Sequence, residues 1–307
     1  MNQIIVENLE NLINNLLYNK PPNFSFKINS FRKTIQIIND LDYEIKDISV
    51  LKKIKGIGKG TLERIEEILK NGELKENKEF LKQKKNTSVS DFNDLQKITG
   101  IGPSKAKQLI EKKITLNDLI NKPNEKILEE LTHHQLIGVK YYNDLLKRID
   151  NYIIYEVEKY LNKFDFTFTI CGSYRRKKET SGDIDILVLK ENKSLKEIVD
   201  LLTKHKFIVD SLTTCGETKY MGICKTPKSH CMRIDIRLIS KESFPYALLY
   251  FTGSKKTNTF MRNQAIKQGY KLSEYGLFDK DGNIIKLDNE KTIFEFLQLP
   301  YLPPEKR

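Results

Sequence analysis

Two hydrophobic periods divide this chain into a helical part and a mixed part. From about residue 4 to 83, apolar side chains recur every three or four positions, beginning with Ile5, Leu9, Leu12 and Leu16. This spacing predicts amphipathic helices, and Pro21-Pro22 separates the first helix from the second. The helical pattern resumes over residues 91–150, after a polar stretch, Lys84–Ser88, that predicts a linker.

From about residue 151, a helix leads into segments in which apolar and polar residues alternate, the period of a strand. One segment carries Ile184, Ile186 and Val188 together with Asp183 and Asp185. Because side chains alternate along a strand, the two aspartates project from the same face. The last portion, from about residue 242, mixes helix and strand patterns, so the predicted fold class is α+β.

A second strand pattern begins at Arg233. It places Arg233, Asp235 and Arg237 on the face opposite Ile234 and Ile236. If this strand pairs beside the first, three carboxylates converge, a donor set that suits hard divalent cations. Two such ions about 3.5–4 Å apart can activate a hydroxyl and stabilise a leaving phosphate oxygen. We expect the two flanking arginines to keep Asp235 ionised.

Glycine and serine lie close to the acidic strand in sequence. Gly182 immediately precedes Asp183, and Gly172-Ser173 lies upstream. Uncovered backbone amides and a hydroxyl are what phosphate oxygens need, so the combination predicts a nucleoside triphosphate held against metal ions. Two aspartates on a strand are, taken alone, more often a solvated sheet edge. The ordered combination with the glycines and the second strand favours the metal site.

The helical part contains one motif twice. Residues 54–69, I-K-G-I-G-K-G-T-L-E-R-I-E-E-I-L, predict a short helix, a tight turn and a second helix, and residues 98–110, I-T-G-I-G-P-S-K-A-K-Q-L-I, repeat the pattern. Gly56, Gly58, Gly100 and Gly102 can adopt positive φ and allow close approach of a ligand. The following helix N-terminus offers free N–H groups to a phosphate. A single glycine turn is more often a helix cap, but two copies in a basic chain favour a helix-hairpin-helix that holds nucleic-acid backbone.

The composition of the chain is consistent with binding to nucleic acid. The net charge is +12 at pH 7, which fits a polyanion, and 307 residues predict two or three domains. The four cysteines form no C-x-x-C pair, so reduced intracellular thiols are expected. Neither a secretory signal nor a membrane span is predicted. Adjacent His133 and His134 point to different sides of a helix and make a poor metal pair.

Taken together, the motifs resemble those of the family X DNA polymerases of the polymerase beta type. The resemblance covers roughly residues 25–307 and rests on both hairpins and on T-H-H-Q-L-I-G-V-K-Y-Y, C-G-S-Y-R-R, G-D-I-D-I-L, G-E-T-K-Y-M-G, R-I-D-I-R-L, L-Y-F-T-G-S and L-S-E-Y-G-L, in that order. We expect no BRCT segment before the first helical module and no phosphoesterase domain after the last.

The resemblance implies four domains: a lyase-like helical domain with the first hairpin, a DNA-binding helical subdomain with the second, a nucleotidyltransferase palm with a mixed or antiparallel sheet, and a C-terminal α+β nucleotide-selection subdomain. Their expected bounds are 1–86, 87–150, 151–241 and 242–307. The implied function is a template-directed DNA polymerase that fills short gaps in repair of the base-excision type.

The resemblance also implies the residues that hold metal and nucleotide. Asp183 and Asp185 would bind two Mg²⁺ ions, with Mn²⁺ as the alternative, and Asp235 would bind the catalytic ion that activates the primer 3′-hydroxyl. The residues that would hold the dNTP are Ser173, Arg176, the Gly182 amide and Arg148 at the triphosphate, Tyr250, Phe251 and Gly253 at the sugar, and Asn258 at the base. A non-proline cis peptide is expected between Gly253 and Ser254.

DNA contacts and a conformational pair are implied in the same way. The expected DNA-binding residues outside the hairpin glycines are Lys27, Lys52, Lys219, Arg233, Tyr250 and Arg262. Arg237 and Glu274 match a pair that switches when the nucleotide-selection subdomain closes. Na⁺ or K⁺ is expected at the hairpin turns, held by backbone groups of Lys52, Ile54 and Ile57 in the first and of Gln96, Ile98 and Ile101 in the second.

The lyase site departs from the family pattern. Where the family has a Schiff-base lysine, this chain has Arg64, whose guanidinium stays protonated and forms no imine. Phe31 replaces a tyrosine and Gly60 a lysine, whereas Lys27, Arg32 and Lys52 are retained. Lys59 is the candidate substitute, but it lies roughly 7–8 Å from Arg64 along a helix. We therefore expect weak or absent 5′-deoxyribose-phosphate lyase activity. Beside the base pair, Lys255 replaces an acidic residue and Thr259 a lysine.

Two alternatives remain open at this point. A template-independent terminal transferase would carry a longer loop before the strand near Tyr220, for which Cys215–Lys219 leaves little room. A non-catalytic DNA-binding scaffold would not need the three aspartates.

Gapped or nicked double-stranded DNA and dNTP are the expected ligands, for a soluble monomer without membrane contact. Ligase or other repair proteins are the expected partners. The expected location is the nucleus for a eukaryotic protein and the cytoplasm, viral factory or virion for a viral one.

Overall fold

The chain folds into two compact units, residues 1–128 and 129–307. A computed structural model describes residues 2–41, 43–52, 54–77, 88–227 and 229–307, with only the backbone of 88–90. The polar linker predicted over Lys84–Ser88 lies outside the described residues except at Ser88, where a helix begins.

The first unit is helical. Its described helices are α1 (Gln3–Asn19), α2 (Phe24–Asn39), α3 (Ser49–Lys52), α4 (Lys59–Asn71), α5 (Ser88–Leu95), α6 (Pro103–Glu111), α7 (Leu116–Ile120) and α8 (Glu125–Leu128). The apolar stripe of α1 lies against α2 and α4, where Leu9, Leu12, Ile38, Leu51 and Ile65 are almost completely buried. The break between α1 and α2 contains Pro21-Pro22, as the sequence predicts.

The second unit begins with helices and continues into a sheet. Its first part contains α9 (His133–Lys140), α10 (Tyr142–Leu145), β1 (Ile149–Asp150), α11 (Asn151–Leu161), β2 (Phe168–Ile170), α12 (Gly172–Arg175), β3 (Thr180–Ser181), β4 (Ile184–Leu189), α13 (Leu195–Lys204), β5 (Ile208–Ser211), β6 (Lys219–Cys224) and β7 (Met232–Ile239). Capping boxes fix the starts of two helices, Thr132 with Gln135 for α9 and Ser194 with Glu197 for α13.

The sheet has the strand order β2-β4-β7-β6-β5. β4 and β7 are parallel, and the remaining neighbours are antiparallel, so the sheet is mixed as expected. One face packs against α11 and α13 in a core that includes Val157, Ile184, Ile186, Ile234 and Ile236. The opposite face of β4 and β7 carries the aspartates.

The C-terminal part contains α14 (Phe244–Thr252), α15 (Lys255–Lys267), β8 (Lys271–Ser273), β9 (Gly276–Phe278), β10 (Ile284–Ile285), α16 (Glu290–Phe296) and a 3₁₀ turn, Pro304–Lys306. Its three strands form an antiparallel sheet in the order β10-β9-β8. Tyr246, Met261, Leu277 and Phe294 are buried between this sheet and its helices. The prediction of a mixed helix-and-strand tail is confirmed.

One detail of the sequence prediction is wrong. The helical pattern was expected to reach residue 150, but Ile149 and Asp150 form β1, which pairs with Thr180 and Ser181 of β3. Ile149 is buried in the core of the main sheet, so tertiary packing overrides the local period.

All four cysteines are free thiols. Within the described ranges, no helix combines the length and the apolar character needed to cross a lipid bilayer.

Candidate active site

Three aspartates converge on the exposed side of the main sheet. Asp185 on β4 pairs directly with Asp235 on the parallel strand β7, and Asp183 lies two residues before Asp185. Each offers a carboxylate oxygen, and these oxygens lie within 4.8 Å of one another. The convergence expected from the two strand patterns is therefore confirmed.

Alternation along the two strands produces this arrangement. Ile184 and Ile186 on β4, and Ile234 and Ile236 on β7, are buried in the sheet core. The intervening aspartates must therefore face the other way. A shift of one residue in register would bury the carboxylates in that core, so the same isoleucines that stabilise the sheet also fix the site.

Burial dominates the electrostatics of the site. Desolvation raises the pKa of Asp185 to about 6, and Asp235 raises it in the same sense, whereas Arg176 and Arg237 oppose the shift. Desolvation also raises the pKa of Asp235, against the effect of Arg233 and Arg237. The two flanking arginines thus act in the expected direction, favouring the ionised carboxylate of Asp235, but burial outweighs them in the net shift of its pKa.

The contacts among Arg233, Asp183 and Asp235 leave one carboxylate oxygen available to a cation. Arg233 forms an ion pair with Asp183, and its Nε lies 3.7 Å from Asp235 Oδ1. That Oδ1 atom is buried and has no hydrogen-bond partner. A buried carboxylate oxygen without a partner is unfavourable unless a cation binds it. Three half-buried carboxylates with one unsatisfied oxygen fit divalent ions that prefer oxygen ligands.

A glycine turn lies directly against Asp185. Gly172 has φ +58°, and a side chain there would collide with the Asp185 carboxylate. The backbone N–H of Cys171 donates to the Asp185 carbonyl at 2.8 Å, which holds the turn beside β4. Ser173 Oγ donates to Ser181 Oγ at 2.8 Å. Gly172 therefore serves two needs, a left-handed backbone and close approach to an aspartate.

Two arginines border this turn. Arg176 donates to the carbonyl of Thr252, and its guanidinium would lie 3.1 Å from a side chain added at Gly253. Arg148 donates to Thr180 Oγ1 at 3.1 Å and to the Thr180 carbonyl at 2.8 Å, and it would lie 3.3 Å from a side chain added at Gly182. The structure thus places Arg176 beside Gly253 and Arg148 beside Gly182, two pairs of residues expected around a nucleotide.

The start of α15 adjoins the same turn. The peptide between Gly253 and Ser254 is cis, as expected. Asn258 Nδ2 donates to the Tyr250 carbonyl at 2.6 Å, and the Arg262 guanidinium lies 4.8 Å from the Tyr250 ring centroid. Arg237 lies over the Phe251 ring at 5.4 Å, and its expected partner, Glu274, is in the turn between β8 and β9. Lys219 begins β6, opposite Arg237.

The histidines and a buried charge cluster complete the surroundings. His133 Nε2 lies 2.8 Å from the Ser211 carbonyl. His134 Nε2 is buried without a partner, and burial, reinforced by Arg233, lowers the pKa of its imidazole. Glu290, for which the sequence analysis predicts no role, accepts with its two carboxylate oxygens from Arg175 at 3.0 and 2.6 Å. No short-range pattern links these two residues, so only the fold reveals the pair.

The hairpins lie in the first unit. Gly56 has φ +112° and Gly100 has φ +89°. Gly58 and Gly102, expected to share this conformation, instead have φ −79° and −89° as N-caps of α4 and α6. A side chain added at Gly58 or Gly102 would meet no atom within 4 Å. Both helix N-termini therefore present open space in front of their free N–H groups. Lys27, on α2, and Lys52, at the end of α3, are exposed.

The lyase position is engaged in structural contacts. Arg64 donates to the Gly60 carbonyl at 2.9 Å and pairs with Glu76 at 2.7 Å. Its guanidinium carbon lies 5.7 Å from the centroid of the Phe31 ring. Lys59 is exposed at the first position of α4. These contacts account for Arg64 without a covalent role.

Comparison with known proteins adds family information to this geometry. Four family models match: a helix-hairpin-helix domain over residues 1–74, the fingers domain of DNA polymerase lambda over 93–146, the DNA polymerase beta palm over 143–241 and the DNA polymerase beta thumb over 247–307.

Similar proteins include two named DNA polymerase lambda. The one from Arabidopsis thaliana is 31% identical over 91% of this chain and 57% of its own length. The one from Rattus norvegicus is 28% identical over 90% and 52%. A DNA polymerase/3′-5′ exonuclease PolX from Bacillus subtilis is 28% identical over 92% and 51%. The chain thus spans between 51% and 57% of the length of these relatives.

Proposed function

Because this chain belongs to the family X DNA polymerases, we propose that it fills short gaps in DNA under the direction of a template. The observation that carries the proposal is the convergence of Asp183, Asp185 and Asp235 beside the Gly172 turn. A metal-binding carboxylate trio next to a glycine turn suits nucleotidyl transfer better than it suits a passive DNA-binding protein.

The trio would hold two Mg²⁺ ions, Asp183 and Asp185 binding both and Asp235 one. Bound there, these ions supply activation of the primer 3′-hydroxyl and stabilisation of the charge that develops on the triphosphate. The chain's own part is to hold the carboxylates in fixed register on two hydrogen-bonded strands. Preorganised ligands of this kind need no rearrangement at the moment of reaction.

The triphosphate would lie along the turn between Ser173 and Gly182. Gly172 leaves backbone amides uncovered, and Arg176 beside Gly253 and Arg148 beside Gly182 supply the positive charge. Arginine suits this role because its planar guanidinium donates in parallel to two phosphate oxygens. The sugar would lie against Tyr250, Phe251 and Gly253, and the base near Asn258, all of which adjoin the cis peptide.

DNA would be held mainly through its phosphates. The two hairpins, with Na⁺ or K⁺ at backbone groups of the turns, suit duplex on both sides of a gap. Arg233, Lys219 and Arg262 are the proposed contacts close to the aspartates. Arg237 and Glu274 would change partners when the C-terminal part closes on a nucleotide. The division at residues 86, 150 and 241 remains the proposed domain plan, for a protein acting as a monomer in base-excision repair.

One assay distinguishes template-directed gap filling from template-independent terminal transfer. The connection between β5 and β6 is short, residues 212–218, which supports dependence on a template over terminal transfer. Single-nucleotide gap filling should exceed extension of a blunt or single-stranded primer, and a 5′-phosphate at the gap should stimulate it if the first unit binds that phosphate. Equal extension without a template would overturn the proposed function.

A further inference from the structure

A second pocket lies at the outer edge of the main sheet. It has a volume of about 280 Å³, and its lining includes Tyr160 from α11, His205, Lys206 and Phe207 after α13, Val209 on β5 and Lys225 after β6. We call this cavity the edge pocket. Its size is close to the lower bound for a small-molecule site, roughly 300 Å³.

The edge pocket is separate from the aspartates. β5 is the outermost strand, divided from β7 by β6. Along β6, Met221 pairs with Asp235, whereas Cys224, next to the pocket, pairs with Ile208. The separation is therefore about 10 Å along the strands and about 10 Å across them. Tyr160 and Phe207 also belong to the core side of the sheet, opposite the face that carries the aspartates.

One wall of the edge pocket is aromatic and held in place. Tyr160 stacks on Phe207 with ring centroids 5.3 Å apart and an interplanar angle of 29°. Its hydroxyl donates to the His205 carbonyl at 3.4 Å. Phe207 is 2% exposed and serves as the base of the wall, and Val209 adds apolar surface that is 40% exposed. Phe164 meets the same ring at 5.4 Å with an interplanar angle of 68°, so an aromatic cluster fixes Tyr160, whose partly exposed ring can pack against a further aromatic group, stacked or edge to face.

The ionisable groups of the edge pocket are of one sign. Among the described lining residues, Lys206 and Lys225 are cationic and none is a carboxylate. The Nζ of Lys163 lies over the Tyr160 ring, 5.5 Å from its centroid, and brings a further positive charge to the aromatic wall. A cavity with aromatic and cationic walls and no acid has the chemistry to hold an anion attached to a flat ring.

We infer that the edge pocket binds an unpaired nucleotide, with its base against Tyr160 and its phosphate between Lys206 and Lys225. Unpaired bases stack on aromatic side chains without sequence preference, while lysines neutralise the backbone. Two sources share this chemistry, a free nucleoside monophosphate and a single-stranded segment of DNA. The inference goes beyond gap filling and does not depend on it, since none of these residues belongs to the proposed polymerase site.

Photocrosslinking of the full chain tests the inference. The probes are 5-iodo-2′-deoxyuridine 5′-monophosphate and a thymidine oligonucleotide with one 5-iodouracil, each irradiated with the protein and mapped by mass spectrometry. We expect an adduct on Tyr160 or its pocket neighbours. Labelling by the mononucleotide alone would identify a free nucleotide as the ligand, and labelling by the oligonucleotide would identify a single strand. Labelling confined to other regions with both probes would overturn the inference.

Matched variants provide a second readout. Lys206→Gln combined with Lys225→Gln should lower the pocket adduct at least fivefold. It should also reduce the slope of log affinity against log salt for single-stranded DNA by about 1. Lys196→Gln combined with Lys291→Gln removes the same charge from two exposed helical ion pairs of the same unit and should change neither.

The aromatic wall is tested by Tyr160→Leu, which keeps apolar volume but removes the ring, and which should lower the adduct roughly fivefold. Melting temperature verifies that each variant is folded, and gap filling should remain at the unsubstituted level. Unchanged pocket labelling in the folded Lys206→Gln, Lys225→Gln variant would contradict the inference.

Discussion

Asp185 and Asp235 occupy paired positions on the parallel strands β4 and β7, so their carboxylates project side by side from one face. Two buried carboxylates in this relation repel each other, and burial raises the pKa of both. The arrangement is therefore costly to the folded protein by itself, and cations relieve that cost. Cation binding to this pair can therefore be measured through the thermal stability of the protein as well as through its activity.

Arg233 should compensate the acidic cluster when no metal is bound. It pairs with Asp183 and approaches Asp235, so Arg233→Gln leaves the carboxylates less neutralised. In EDTA we expect the melting temperature of Arg233→Gln to fall by roughly 2–5 °C. Mg²⁺ should then raise it by more than it raises the unsubstituted protein. Thermal unfolding with and without Mg²⁺ measures both values.

Arg262→Gln is the matched control for that experiment, because Arg262 contacts the Tyr250 ring instead of an aspartate. The rise in melting temperature of Arg262→Gln on adding Mg²⁺ should equal that of the unsubstituted protein. An Arg233→Gln variant that gains no more than this control would show that Arg233 does not compensate the cluster.

The pKa of Asp185 predicts a pH-dependent stability in the absence of metal. This pKa is raised to about 6 in the folded protein, whereas an unfolded aspartate titrates near 3.9. The folded state therefore takes up a proton first, and its stability should rise as the pH falls from about 7 towards 4 and decline as the pH rises.

Asp185→Asn isolates this effect, since its amide stays neutral at every pH. In EDTA at pH 8 it should melt at least about 2 °C above the unsubstituted protein, and the difference should shrink steadily towards pH 5. Asp200→Asn, at an exposed position of α13, is the control and should show no such trend. A difference that stays constant or grows with acidification would contradict the predicted sign.

The hairpin glycines allow stability and DNA binding to be separated. A methyl group at Gly102 meets no atom within 4 Å, and φ there is −89°, so Gly102→Ala should fold normally. If a phosphate approaches the N-terminus of α6, the same methyl should weaken duplex binding about fivefold or more. Fluorescence anisotropy with gapped DNA and a melting curve provide the two numbers.

Gly100→Ala is the contrasting variant, because Gly100 has φ +89°. Alanine in that conformation should lower the melting temperature itself. Full DNA affinity in folded Gly102→Ala would show that no phosphate reaches this helix end.

The lyase activity should be weak or absent. Arg64 pairs with Glu76 and contacts the Gly60 carbonyl, and its guanidinium forms no imine. Borohydride trapping on an incised abasic site should give little crosslinked protein. Arg64→Lys should increase trapping, because it places an amine at the position where the family has one. Efficient trapping of the unsubstituted protein that Lys59→Ala abolishes would refute the loss.

The sequence anticipated those features that follow from local period and motif. Alternation predicted that Asp183, Asp185 and Asp235 share one face, and the glycine turns predicted both hairpins. The failures arise where tertiary environment decides. Ile149 is drawn into a strand by the core it enters. The sequence of β7 likewise does not show the burial of Asp235, which raises its pKa against the effect of the two arginines.

Long-range contacts form a second class that the sequence could not provide. Arg175 and Glu290 are 115 positions apart and meet as a partly buried ion pair. The edge pocket likewise collects Tyr160, Lys206 and Lys225 from three separate segments. Each residue reads as ordinary surface or core in its own segment, and only the packing of α11 and α13 on the sheet assembles them.

The most direct test of the central claim is the rate of single-nucleotide gap filling by Asp235→Asn in Mg²⁺, under single-turnover conditions. The account predicts a loss of about a thousandfold or more, with gapped-DNA affinity and folding unchanged and with Asp200→Asn at the unsubstituted rate. A folded Asp235→Asn protein that fills the gap within about tenfold of the unsubstituted rate would contradict the assignment of the three carboxylates to nucleotidyl transfer.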